Sequence, residues 1–142
     1  AIVEMTIAVP VISTEITRTK YLESALASLE LRYQALIEST NDSIYSVDPE
    51  CRYLFMNSHH KRRLGIRGDG YQGKCYHEFH PPDATERFVR SVRRVCETGK
   101  PCKDRYSAGE RYFVRTFSPV TDGAEDTVTS VVVISIEHTP EE

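Results

Sequence analysis

The sequence predicts an α+β domain, with a long N-terminal helix followed by a five-stranded antiparallel sheet. Three observations carry this. Leu22, Leu26, Leu29, Tyr33 and Leu36 recur at intervals of 4, 3, 4 and 3, a helical seam. After "ESTND" the period becomes extended, in short runs rich in Tyr, Phe, Ile and Val. A second helical stripe then separates two early strands from three late ones.

Taken in order, residues 14 to 40 form the first helix, with Glu23, Glu30, Arg32 and Gln34 off the seam. The seam lasts about two heptads, short for a self-sufficient coiled coil. It therefore reads either as a contact between two chains or as a stripe packed on its own domain. "SIYSV" and "RYLFMN" read as a hairpin, because Asp48-Pro49 opens a turn with φ preset by the proline. "SHHKRRLG" reads as a short helix capped by Gly65, and the glycine-rich "IRGDGYQG" as a loop. Asp83 is expected to open and cap the longer helix, with Phe88, Val92, Val95 and Cys96 on one stripe and Val89 widening it. Gly99 and Pro101 stop that helix. "CKDRYS" and "RYFVRTFSPV" are two strands joined through "AGE", and "TVTSVVVISIEH" is a last strand. Being β-branched on both faces, it is expected at the sheet centre.

A chain of 142 residues supports one domain with a proper core. A net charge of −3 argues against nucleic acid as a partner. No apolar run reaches the roughly 20 residues of a bilayer-spanning helix, so a soluble, cytoplasmic segment is expected, with any membrane contact made by a longer protein. The opening "AIVEMTIAVPVI" lacks the basic start of a signal peptide. The absence of an initial Met and the abrupt "HTPEE" suggest a piece of a longer chain. The four cysteines show no C-x-x-C spacing and read as free thiols, with a Cys96–Cys102 bridge left open.

The order of elements, with "LIESTNDSIYSVDPECRYLFMNSHHKRRLG", "ETGKP", "RYFVRTFSPVTD" and "VVVISIEHT", resembles a Per-Arnt-Sim (PAS) sensory domain over residues 36 to 139. Residues 1–35 would then be an N-terminal segment and linker helix, and 140–142 the start of a C-terminal linker. The family's closing "DIT" is replaced here by Glu137-His138-Thr139. The resemblance implies sheet order 2-1-5-4-3 cupping a small cavity under the helices. It also implies a non-enzymatic sensor in a bacterial signalling protein such as a histidine kinase, with an output domain in the same chain. A homodimer through the Leu22–Leu36 seam is expected. A ligand-free dimerisation and relay module is the alternative.

The candidate pocket residues are Tyr45, Phe55, Asn57, Cys75, His77, His80, Phe88 and Arg115. Arg115 shares a strand face with Phe113 and Phe117, and would be a buried cation awaiting a carboxylate if that face turns inward. Within "GKCYHEFHPPD", Cys75, His77 and His80 suggest zinc or haem, and a haem or metal sensor using His77 or His80 is a further alternative. No second ligand pair is evident and no C-x-x-C-H is present, so neither is favoured. Flavin photochemistry is also not favoured, because Cys75 follows Gly73 by two positions, out of register with the light-oxygen-voltage motif. The basic run "HHKRR", with Arg67, reads as a solvated helix face, cations suiting a helix C-terminus, with a carboxylate ligand or an acidic partner helix as the alternative. No catalytic constellation or metal site is expected, and the ligand stays unknown.

Overall fold

Nine elements follow one another in the computed structural model, which describes residues 2–124 and 126–139, with side chains from residue 14. They are α1 (Ile2–Glu38), β1 (Ser43–Val47), β2 (Tyr53–Met56), α2 (Ser58–Leu64), a 3-10 turn (Tyr76–Glu78), α3 (Pro82–Thr98), β3 (Cys102–Ala108), β4 (Arg111–Thr121) and β5 (Val128–His138). The expected C-terminal linker at 140–142 lies outside the described residues. The chain divides into two units, up to Ser39 and from Thr40.

In the first unit α1 begins well before the predicted residue 14. Its seam is exposed, Leu22 at 59%, Leu29 at 63% and Leu36 at 71%. No described helix is long and apolar enough to cross a membrane.

In the second unit the strands pair antiparallel in the order β2-β1-β5-β4-β3, the predicted sheet. The β1–β2 turn is built on Asp48, whose Oδ1 accepts from the backbone N–H of Glu50 and Arg52. Gly109, at φ 66, starts the two-residue link between β3 and β4, a conformation that suits a residue without Cβ. The core lies between the sheet and α3. Val47, Val131, Val133 and Phe117 on the strands meet Phe88, Val92 and Val95 on the helix, all completely buried.

Two expectations need correction. α3 starts at Pro82 with Pro81 as N-cap, not at Asp83. A proline at the first helical position has φ preset and no amide to leave unpaired, so the helix gains a residue and Asp83 falls in its first turn. β5 is central, but only its inward face is covered. Ile134 and Ile136 on the other face remain 37% and 39% exposed. The four cysteines are free thiols, as their spacing suggests, and the open question of a Cys96–Cys102 bridge is answered in the negative.

The glycine-rich loop is more structured than its composition suggests. Tyr71 is buried, and its Oη accepts from the Met56 amide at 3.0 Å. Beyond it the chain runs along the free edge of β2. Gly73 N–H donates to the Tyr53 carbonyl, Tyr53 N–H to that of Lys74, and Tyr76 N–H to that of Cys51. This covers the edge backbone groups that an end strand otherwise leaves open.

Candidate functional site

A cavity of about 170 Å³ opens between the sheet and the helices. Its lining comes from seven places: Tyr45 on β1; His60, Arg63 and Leu64 on α2; Tyr76 on the 3-10 turn; His80 just beyond it; Ala84 and Arg87 on α3; Tyr106 on β3; and Arg115 on β4. The lining is graded. Tyr45, His60, Tyr76 and Arg115 are buried, while Arg63 and Arg87 are exposed and mark the mouth.

Five near-parallel rings form a row, all but Phe88 lining the cavity. His80 stacks on Tyr76 at 3.8 Å and Tyr76 on Phe88 at 3.8 Å. Phe88 faces Tyr45 more loosely at 6.1 Å, and Tyr45 stacks on His60 at 4.2 Å. A histidine therefore sits at each end. His80 Nε2 shares a 2.8 Å hydrogen bond with the hydroxyl of fully buried Tyr53. His60 is only 4% exposed, and both its ring nitrogens lack a hydrogen-bond partner among the described residues. Burial, reinforced by the charge of Arg63, pushes the His60 imidazole down to about 3. Burial, with Arg115 and Arg63 adding to it, pushes His80 down to about 4. Both are neutral at physiological pH.

Below the rings a polar row crosses the inward face of the sheet. Asp104, Arg115, Ser135 and Ser43 are register partners across β3, β4, β5 and β1. Alternation places Arg115 on the same face as buried Phe113 and Phe117, so its side chain points inward, at 5% exposure. The carboxylate it requires comes from its own chain. Arg115 Nε and Nη2 donate to the two oxygens of Asp104 at 2.8 and 2.7 Å, a bidentate pair. Burial opposes the Arg115 charge, but the Asp104 hydrogen bonds outweigh it, so the side chain stays protonated. Arg63 donates to Ser43 Oγ at 2.8 Å and Tyr106 Oη at 3.2 Å, and its guanidinium lies 4.3 Å from the Phe113 ring centre.

Of the predicted pocket residues, Tyr45, His80 and Arg115 meet at this cavity. Phe88 is a member of the ring row, buried in the core. Asn57 is a clamp: it caps α2 by accepting from the His60 amide, accepts from the Ile44 amide, and donates to the Asp42 carbonyl. It thereby fixes where His60 points. Phe55, Cys75 and His77 do not line the cavity. Phe55 lies outside the core cluster, Cys75 pairs along the β2 edge, and His77 is exposed.

These positions do not suit haem or zinc. His77 faces solvent, His80 has Nε2 engaged and its ring stacked, and the cavity is smaller than the 300 Å³ or more typical of larger ligands. Among the described residues no three His, Cys, Asp or Glu side chains are grouped to hold a metal.

Sequence reasoning missed Arg87, and marked His60 and Arg63 only as part of a basic run, not as cavity residues. The run concealed their role, although His60 and Leu64 at i and i+4 share a helix face.

A family model described as PAS fold matches residues 37–142. The chain belongs to the PAS family. Solved structures place it among similar PAS folds. A sensory box sensor histidine kinase from Vibrio cholerae is 15% identical, with a TM-score of 0.64 over 84% of this chain and 99% of that one. The PAS domain of BvgS from Bordetella pertussis is 20% identical, with a TM-score of 0.66 over 81% and 89%. A domain of an HTR-like protein from Haloarcula marismortui is 18% identical, with a TM-score of 0.61 over 70% and 100%. At these identities the likeness concerns the fold. No curated protein sequence matches the chain.

Proposed function

We propose that this PAS segment is a cytoplasmic, non-enzymatic sensory module that binds a small molecule in the cavity and relays the event to an output domain in the same chain. The observation that carries this is His60: a buried imidazole in the cavity wall, whose ring nitrogens lack a partner among the described residues, has unused hydrogen-bonding capacity. A sensor histidine kinase and a PAS domain of a histidine kinase among the similar folds support that kind of output. For the relay, Asn57 ties α2 to β1, so a ligand drawing on His60 biases how that helix sits on the sheet. We further propose residues 1–35 as the linker helix, 36–139 as the domain and 140–142 as the start of the exit linker. The exposed seam would join two copies into a homodimer.

Native mass spectrometry of the purified chain tests ligand binding: a small molecule should co-purify and be lost in Ala84→Phe, which fills the cavity. A bare mass for the unaltered chain, after refolding with a host metabolite extract, contradicts it. Leu29→Asp should shift sedimentation toward monomer, and unchanged sedimentation removes the seam from the relay. A ligand-free relay is the second reading, supported by Tyr45 and Phe88 filling part of the interior. It predicts self-association with no bound mass.

A further inference from the structure

We infer that the cavity takes a small organic monocarboxylate with a flat body of about benzene size, its acid group met by His60, Arg63 and Arg87. This rests on the ligand-binding reading above and adds the charge and shape of the ligand.

Charge comes first. Three arginines line the cavity and no acidic side chain does. Arg115 is neutralised by Asp104 and contributes little net charge. Arg63 and Arg87 form no ion pair among the described residues. The mouth is therefore cationic, and its low-dielectric walls concentrate that field inward. Arg63 is also held in place, two of its five N–H donors going to Ser43 and Tyr106, so the rest are presented at little entropic cost.

His60 supplies the inner donor. Its neutral ring carries one N–H and one bare nitrogen, neither used inside the protein. The nitrogens are closed in as placed, so the ring turns about its side-chain bonds for a carboxylate to accept from that N–H in the field of Arg63, whereas an ammonium group would meet the same field as repulsion. The size follows from the volume. A cavity of about 150 Å³ suffices for benzene, and this one is about 170 Å³. Tyr45, His60, Tyr76 and His80 line the cavity as rings stacked in pairs, and a planar aromatic body packs edge-to-face against such ring edges.

Calorimetric titration of the chain with sodium benzoate and with benzamide, its uncharged isostere, tests this at neutral pH. Benzoate should bind at least tenfold more tightly, and the preference should shrink as salt is raised. Arg87→Gln, a change at an exposed position, should remove most of the preference and leave the melting temperature in place. If benzamide binds as well as benzoate, the anion inference fails and the ligand-binding reading stands. If neither binds, while a different compound co-purifies in the mass-spectrometric experiment, the ligand class is wrong and the site is not. If neither binds and nothing co-purifies, both fall.

Discussion

The inward face of the sheet has two halves that follow different rules. Around Val47, Val131, Val133 and Phe117 every side chain is apolar and completely buried, closed by Val92 and Val95. Across Asp104, Arg115, Ser135 and Ser43 the same strands carry a polar row, and the cavity lies above it. The first half gains its stability from hydrophobic burial. The second is held by a bidentate ion pair and oriented hydroxyls, and leaves His60 and the Ser135 hydroxyl without partners among the described residues. Unpaired buried polar groups cost stability, and their retention in this half is what supports the proposal that it binds a ligand.

The largest effect should come from the joint between the halves. Phe88 packs on Tyr45, Tyr76 and Phe117, and Phe88→Ala should destabilise by about 4 kcal/mol in denaturant unfolding. A loss under ~1 kcal/mol would mean the interior collapses readily and the apolar half is not tightly packed. Next, Asp104→Ala strands the buried Arg115 cation and should cost ~3 kcal/mol, whereas Asp104→Leu with Arg115→Met should recover most of that. If the double variant is as unstable as the single, the pair is not merely balancing its own charge.

The smallest effect separates the two histidines by pH. Their imidazoles lie below the unfolded value, at about 3 for His60 and about 4 for His80. Between those values and the ordinary value of 6.5, the unfolded chain binds more protons than the folded one. Stability should therefore fall as pH drops from about 6.5 toward 4. His60→Phe should flatten that slope and raise stability near pH 5, since it removes the unpartnered nitrogens while keeping a ring on Tyr45. His80→Phe should flatten it too, but lower stability at neutral pH, because the Tyr53 hydroxyl loses its partner. Thermal melts of the three proteins across pH 4–8 check this. Parallel curves would place the acid sensitivity elsewhere.

Much of the fold was legible because period and turn chemistry agree locally. The change at "ESTND", the Asp48-Pro49 turn, the Gly65 and Gly99 caps and the stripe through Phe88 each correspond to an observed element. The strand order came through the family resemblance. The site was less legible because it depends on register and on parity within short elements. Alternation placed Arg115 with Phe113 and Phe117, but only the β3–β4 register brings Asp104 opposite it. Tyr71 was hidden in a loop whose glycines suggest solvent, and His60 in a run of basic residues. The stretch "GKCYHEFHPPD" looked like a metal site because its ligand types are close in sequence. Edge pairing spreads them instead, with His77 outward and His80 inward on Tyr53.

The central claim, that the unpartnered His60 ring serves a ligand, is tested most directly by long-range ¹H–¹⁵N spectra of the histidine rings during titration with sodium benzoate. The ring nitrogens of His60 should shift progressively while those of exposed His77 stay still. Benzoate that binds and leaves the His60 nitrogens unmoved would contradict it.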